Sequence, residues 1–260
     1  MSDSAETKQE RRKRWKDCLE AGIDRAEDPI IIITFHSGWA SAARPVLARG
    51  IDKREYVIKG QQAGRQIVND QVVARLGIAI GAPVGEPCIV EIYEELIAED
   101  SRFSYLTPGT AHATLYIPKC SAEREEIKHT NQPENRERFA LLILLYGWVY
   151  ANDCQFIYQN FRPNLVYSVD HGHFFPGGPK WNQRDLLEAA NAEINPHLVS
   201  KCQLKPEEIS QGLMLLDAVS EESIIQAVAA PPREWGFTID ERVTMVEYIV
   251  KRRQDLLALL

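Results

Sequence analysis

The stretch that most constrains the fold is residues 139–170, where an apolar run is followed by two strand-like segments. The run FALLILLYGWVYA, at 139–151, is shorter than the roughly 20 residues of a membrane span, so it predicts a buried helix. The segments FIYQ (156–159) and LVYSV (165–169) are separated by NFRPN, which has the composition of a turn. The region therefore predicts a buried helix that leads into an antiparallel hairpin.

Two aspartates flank this predicted hairpin. Asp153 lies about as far before the turn as Asp170 lies after it, so strand pairing brings both to the same open end. Two adjacent carboxylates repel each other unless a cation, or a cation and a substrate proton, lies between them. The pair therefore predicts a cation site, although either aspartate taken alone is more typical of a helix cap or a turn.

The order of the remaining patterns predicts an α+β protein with two lobes. Strand-like segments and one helical pattern come first, and long helical patterns dominate after residue 139. We expect a polar, basic helix or tail at residues 1–25, a sheet-rich N-lobe at 26–97 and a larger helical C-lobe at 98–260. A cleft between two such lobes is a common place for a ligand.

A lysine at the end of a predicted strand, in YVIKG, adds a positive charge to this plan. Lys59 in such a place is often only an edge residue that discourages aggregation. However, Asp70 lies on the helix that is predicted next. A strand lysine paired with a carboxylate on the following helix is how a protein kinase holds nucleotide phosphates, so both interpretations stay open.

A strand lysine, a helix aspartate and two aspartates around a hairpin follow the order and approximate spacing of a kinase fold. The sequence resembles the HipA-like kinases, in particular the compact group without the fused N-terminal subdomain, over nearly the whole chain after about residue 25. The matching segments are ARPVLARG with REYVIKG, GRQIVNDQVVARLGIAIGAPVGEPCIVEI, PGTAHATLY, FALLILLYGWVYAND, VYSVDHGHFFPGG and PPREWGFTIDERVTMVEYIVKRRQDLLALL. The resemblance implies a bilobed protein-kinase-like fold and ATP- and Mg²⁺-dependent phosphoryl transfer to a protein serine or threonine.

The resemblance also implies a role for each charged residue. Lys59 would contact the ATP phosphates, and Asp70 would position Lys59. Asp153 would orient the attacking hydroxyl or accept its proton, and Asp170 would hold Mg²⁺.

Two further segments receive roles in the same way. The strand CIVEI would present backbone groups of Val90, Glu91 and Ile92 to adenine. The segment SGWASAARP, with Ser41, would lie where the family has its phosphate-covering loop.

The catalytic loop departs from the family pattern. The family usually has Asp-Arg-His with an asparagine five positions after the aspartate, whereas this chain has Asp153-Cys154-Gln155 and then Tyr158. Tyrosine is a poor Mg²⁺ ligand, and an amide oxygen is a hard donor, so we expect Gln155 to replace part of the absent ligand. A catalytically impaired, nucleotide-binding pseudokinase or adaptor is the alternative.

A third kind of function rests on the segment DHGH. His171 and His173 share a face if this segment is extended, and with Asp170 they could form the metal site of a hydrolase. Two histidines are few for a zinc site, so the kinase interpretation is favoured.

Composition restricts the kinds of partner and the cellular compartment that we expect. A net charge of −7 argues against a general nucleic-acid binder. The five cysteines form no CxxC motif, which fits a reducing compartment, and neither a signal segment nor a membrane span is apparent. We therefore expect a cytoplasmic protein whose partners are ATP and, from the resemblance, a protein phosphoacceptor.

Overall fold

A computed structural model describes residues 6–23, 28–124 and 127–260. The predicted boundary between tail and N-lobe, at residues 25 and 26, lies outside these residues. The described strands are β1 (Ile30–Gly38), β2 (Val46–Gly50), β3 (Glu55–Lys59), β4 (Pro87–Ile92), β5 (Gly109–Leu115), β6 (Cys120–Arg124), β7 (Gln155–Gln159) and β8 (Val166–Val169). The described α-helices are α1 (Lys8–Ile23), α2 (Gln66–Ala79), α3 (Glu94–Glu99), α4 (Pro133–Val149), α5 (Gln183–Leu187), α6 (Pro196–Lys201), α7 (Pro206–Ala218), α8 (Glu221–Ala229) and α9 (Ile239–Leu257).

Strands β1 to β5 close into a barrel in the order β1-β2-β3-β5-β4. Neighbouring strands are antiparallel except β1 and β4, whose short parallel pairing closes the barrel. Alternate residues of the strands point inward, as the period of a strand requires. The buried core of the barrel consists of Ile32, Phe35, Val46, Ala48, Tyr56, Ile58, Val90, Ile92, Phe103, Leu106, Ala111 and Ala113.

Strand β5 belongs to this barrel although it lies beyond residue 97, where the sequence predicts the N-lobe to end. Ala111 and Ala113 face the barrel core, whereas His112 between them forms a hydrogen bond with Gln71 on α2. Small and polar residues give β5 only a weak apolar pattern, so the sequence does not mark it as a strand. The N-lobe sheet therefore includes residues 109–115.

The remaining elements form the helical body, which comprises α1, α2 and α4 to α9 together with strands β6 to β8. The predicted buried helix is confirmed, because α4 is apolar on all sides and lies at the centre of this body. The fold is thus α+β, with a small β-rich lobe and a larger helical lobe, as the sequence predicts. No helix in the described parts of the chain combines the length and apolar character that a membrane span requires.

Helix α2 lies beside the barrel but shares the core of the helical body. Its residues Val68, Val72, Val73 and Leu76 are buried in the same cluster as the apolar residues of α4. The polar triplet Asn-Asp-Gln in the middle of α2 is also buried. Because three consecutive residues cover most of a helix turn, α2 is enclosed on every side at this level.

The predicted hairpin is confirmed as β7 and β8, with Gln155 opposite Val169 and Tyr158 opposite Val166. The buried amide of Asn135, on α4, supports its turn end. Asn135 Nδ2 donates to the carbonyl oxygen of Asn164 at 3.0 Å, and its Oδ1 accepts from the backbone N–H of Val166 at 3.0 Å.

Candidate active site

Lys59 joins two carboxylates that come from distant parts of the chain. Its Nζ donates to Asp70 Oδ2 at 2.7 Å and to Asp170 Oδ1 at 2.6 Å. Lys59 ends β3, Asp70 lies in α2, and Asp170 directly follows β8. The ion pair that the sequence predicts between Lys59 and Asp70 is therefore present, and Asp170 is an additional partner.

Burial and charge act in opposite directions on this cluster. Burial lowers the pKa of the Lys59 ammonium, but the attraction of Asp70 and Asp170 outweighs it and the pKa is raised. Burial likewise raises the pKa of the Asp70 carboxyl, but Lys59 and two nearby histidines outweigh it and the pKa is lowered. Lys59 and Asp70 are therefore both charged at neutral pH although both are buried.

The two ends of the Lys59 bridge differ in exposure. The Asp70 side chain is 4% exposed, whereas that of Asp170 is 26% exposed. Asp70 is thus an enclosed partner of Lys59, while Asp170 is partly open to solvent.

Gln155 connects the two aspartates that flank the hairpin. Its Nε2 lies 3.3 Å from Asp153 Oδ2 and 3.2 Å from Asp170 Oδ2. The hairpin therefore brings Asp153 and Asp170 to the same end, as the sequence predicts, with one amide between their oxygens. Asp153 Oδ2 and Asp170 Oδ2 thus share one amide nitrogen as their hydrogen-bond partner.

The histidines of the DHGH segment diverge. His171 is buried, and its Nε2 lies 2.9 Å from the Ser168 hydroxyl, which also accepts a hydrogen bond from Tyr146. His173 is exposed. Within the described parts of the chain, no group of three or more His, Cys, Asp or Glu is arranged to hold a metal ion. The metal site of the hydrolase alternative is therefore not seen among the described residues.

The loop after Asp170 has an unusual backbone that other elements hold in place. Asp170 has a φ of 61°, and Phe175, Gly177 and Gly178 also have positive φ values. A Cβ on Gly172 would lie 2.8 Å from Cβ of Gln66, so only glycine lets this loop approach the start of α2 so closely.

Asn69 is a site residue that the sequence analysis did not identify. It is fully buried beside Asp70 and donates its amide to the loop after Asp170. The available signal was the triplet Asn-Asp-Gln within the otherwise apolar IVNDQVV. Three consecutive polar residues in a helix cannot all face solvent, so at least one of them needs a buried partner.

Val90, Glu91 and Ile92 are not brought to the Lys59 cluster. They lie in β4, which β5 separates from β3, and they pair with β5 on one side while Val90 and Glu91 also pair with β1 on the other. Backbone groups used in strand pairing are not available to a ligand. A single sequence shows the strand but not its neighbours. The prediction that these residues contact adenine therefore could not take the pairing of β4 into account.

Ser41 lies in the loop between β1 and β2. Its backbone hydrogen bonds, with Trp39 and Arg44, stay within that loop. Ala43, in the same loop, packs against Ala63 and Ile67 at the start of α2. The loop thus lies over the beginning of the helix that carries Asp70, and no contact between Ser41 and Lys59 is seen among the described residues.

Comparisons with known proteins identify the family of the chain. A family model described as HipA-like kinase matches residues 31–175, which include β1, Lys59, Asp70, the hairpin and Asp170. The chain belongs to the HipA-like kinase family. No curated protein matches this chain significantly.

A solved structure of a kinase shares the fold. A crystal structure of the Golgi casein kinase superposes with a TM-score of 0.51 at 11% identity, covering 95% of this chain and 76% of the kinase. The same kinase with Mn/ADP bound gives 0.47 at 12% identity, covering 94% and 76%. The Helicobacter pylori proinflammatory kinase CtkA gives 0.46 at 8% identity, covering 89% and 97%. The first of these likenesses supports the kinase fold of this HipA-like chain.

Tyr158 stands where the HipA-like kinases usually have an asparagine. It is buried, its hydroxyl accepts from the Lys128 backbone N–H at 3.1 Å, and its ring meets His129 edge-on. Because side chains alternate along a strand, Tyr158 in β7 points away from the face that carries Gln155.

Proposed function

We propose that this HipA-like protein binds ATP with Mg²⁺ between the barrel and the helical body and transfers the γ-phosphate to a serine or threonine of another protein. The observation that carries the proposal is the position of the Lys59 ammonium, between Asp70 and Asp170 and next to the Gln155–Asp153 contact. These groups supply the charges that phosphoryl transfer needs.

Lys59 is the phosphate-binding group in this proposal. Asp170 is the more exposed of its two partners, so phosphate oxygens compete with Asp170 and not with the enclosed Asp70. Asp70 then keeps the ammonium in place while Asp170 becomes available to a metal ion. A compact ammonium suits this exchange because it acts as a point charge.

The donor set fits Mg²⁺. Asp170 Oδ2 and Asp153 Oδ2 both lie within 3.3 Å of the Gln155 amide nitrogen. Rotation of that amide by half a turn replaces its nitrogen with the oxygen Oε1, and O and N positions of an amide are assigned from the hydrogen bonds they make. Asp170 and Gln155 would hold the ion, which when bound neutralises charge on the phosphate oxygens.

Asp153 is the group that meets the substrate hydroxyl. It is half-buried, directly precedes the hairpin, and shares Gln155 with Asp170. Phosphoryl transfer passes through a loose transition state, so the main task of this carboxylate is to orient the hydroxyl and accept its proton.

In this proposal adenine contacts the connection between the lobes, and not strand β4 as the sequence predicts. Residues 116–119 lead from β5 in the barrel to β6 in the helical body. The Tyr116 N–H and the Lys119 carbonyl oxygen are already hydrogen-bonded, to Glu55 and Asn160, so the backbone of Ile117 would meet the base. We place the adenine contacts there instead of at residues 90–92.

The test is transfer of labelled phosphate from γ-labelled ATP with Mg²⁺, to the protein itself and to proteins of a lysate. Asp153→Ala should reduce transfer by about 10²–10⁴-fold, because a positioned base contributes on that order. ATP affinity should stay nearly unchanged. The matched control is Asp217→Ala, an exposed carboxylate on α7, which should transfer as the wild type does.

A pseudokinase is the second candidate, and the position of Tyr158 favours it, since the family's asparagine is replaced by a residue that points away from the site. Wild-type protein that binds ATP but labels neither itself nor any lysate protein, and releases no phosphate to water, would establish this alternative.

A further inference from the structure

We infer that Asn69 is a positioning residue for the metal-binding loop: its amide attaches the loop after Asp170 to α2 and so sets the affinity of the site for its divalent metal ion. The inference rests on the proposed function. Asn69 touches neither nucleotide nor metal in this arrangement and acts through Asp170.

The contacts of Asn69 are concentrated on one short segment. Its Nδ2 donates to the carbonyl oxygens of Gly172 at 2.8 Å, Phe174 at 3.1 Å and Gly178 at 3.4 Å. Its Oδ1 accepts from Trp181 Nε1 at 2.9 Å. The side chain is 0% exposed, so no water replaces these contacts. All the hydrogen-bonding capacity of one amide is therefore used on residues 172–181.

The loop needs such a partner. Residues 170–177 lie outside any helix or strand, and side chains from elsewhere pair with several of their carbonyl groups. Asn152 donates to those of His173 and Phe175, and Asn69 donates to those of Gly172 and Phe174. Asp170 and Phe175 have positive φ values, which cost free energy in residues other than glycine and persist only when surrounding structure imposes them. Asn69 supplies part of that surrounding structure.

Asp170 is thus held from two directions by adjacent residues of one helix. Asp70 holds Lys59, and Lys59 holds Asp170 Oδ1. Asn69 holds the backbone two residues further on, at Gly172. Since α2 is packed into the core of the helical body, this attachment keeps the loop assembled before any ligand arrives. A preassembled carboxylate binds metal more tightly than one that must first be ordered.

The experiment measures how Mg²⁺ tightens binding of ATP, by calorimetry, in wild type and two variants. Asn69→Leu removes all four hydrogen bonds at similar volume, and Asn69→Asp keeps the acceptor for Trp181 but removes the donors. Both should raise the Mg²⁺ concentration for half-maximal tightening by about 10–100-fold, the usual effect of losing an outer-shell partner. ATP affinity without metal should stay within about twofold, since it depends on Lys59 and not on the loop.

A second readout needs no ligand. Amide hydrogen exchange of residues 171–178 should become faster in both Asn69 variants, while exchange in the barrel stays unchanged. If Asn69→Leu does not fold, Asn69→Ser replaces it, because its hydroxyl keeps one donor; an intermediate shift in the Mg²⁺ requirement is expected.

Asn135→Leu is the matched control. Asn135 is an equally buried asparagine that also donates to loop carbonyls, but it holds the turn end of the hairpin, far along the strands from Asp170. The Asn135→Leu substitution should lower the melting temperature without changing the Mg²⁺ concentration that is required. A purely structural role for Asn69 predicts that the two leucine variants behave alike.

The outcomes separate this inference from the proposed function. Wild-type protein whose ATP binding does not respond to Mg²⁺ overturns the proposed metal site, and the inference with it. Wild-type protein that responds, together with Asn69 variants that have the wild-type Mg²⁺ requirement, overturns the inference alone.

Discussion

The barrel and the helical body build their cores differently. The barrel buries alternate strand residues inside a closed sheet, and its cluster is separate from that of the helices. The helical body includes the apolar residues of α2, although α2 follows a barrel strand and precedes another. Lys59 therefore comes from one core, whereas its partners Asp70 and Asp170 are attached to the other.

The difference shows how the two cores are connected. Because α2 shares the core of the helical body, the contacts of Lys59 with Asp70 and Asp170 join the barrel to that body. A second joint lies near the start of β5, where Thr110 Oγ1 donates to Glu234 at 2.7 Å and accepts from Trp235 Nε1 at 3.0 Å. The candidate site is thus a charged joint between two separately packed cores.

The largest effect is expected from removing the charge at this joint. Lys59→Met leaves Asp70 buried without a cation and should lower the free energy of unfolding by about 3–5 kcal/mol. Denaturant unfolding measures the loss, and Lys59→Met combined with Asp70→Leu should recover most of it. The exposed lysine control, Lys13→Met on α1, should change stability little. A loss in Lys59→Met as small as in this control would contradict a desolvated ion pair.

Two core substitutions test whether α2 belongs to the core of the helical body or to that of the barrel. Leu76→Ala in α2 and Ile58→Ala in β3 should each cost about 2–5 kcal/mol, because both side chains are fully buried. The pattern of amide exchange should differ: Leu76→Ala should accelerate exchange in α4, and Ile58→Ala in β2 and β5. Faster exchange in the barrel alone after Leu76→Ala would place α2 with the barrel.

The smallest expected effect is on the pH dependence of stability. Burial lowers the pKa of His112 and of His171 to about 4, below the usual 6.5. Between these values the unfolded chain binds more protons than the folded one, so stability falls as the pH drops from 6.5 to 4. Each histidine contributes at most about 1.4 kcal/mol per pH unit.

His112→Gln should flatten this dependence, measured as melting temperature against pH. The groups near His112 are Asp70, Lys59, His171 and Arg75, and none of them is altered. The control is His197→Gln, an exposed residue on α6, which should keep the wild-type slope. An unchanged slope in His112→Gln would mean that burial does not lower the pKa of this histidine.

The sequence was most informative where a single local pattern decides the structure. The apolar run of α4 and the turn composition before β8 lead directly to the hairpin, and hence to the approach of Asp153 and Asp170. Features that depend on neighbours distant in sequence were missed. The pairing of β4 on both sides, and the reach of Asn69 across to Gly172, arise only when the chain is folded.

The central claim is that Lys59 binds phosphate and Asp170 binds the metal ion across this joint. Calorimetric titration of ATP, with Mg²⁺ and with a chelator, tests it most directly in wild type, Lys59→Ala and Asp170→Asn. Wild type should bind ATP more tightly with Mg²⁺, Lys59→Ala should bind weakly under both conditions, and Asp170→Asn should lose the tightening without weaker metal-free binding. An Asp170→Asn protein that Mg²⁺ tightens as much as wild type, or a Lys59→Ala protein with wild-type affinity, would contradict the account.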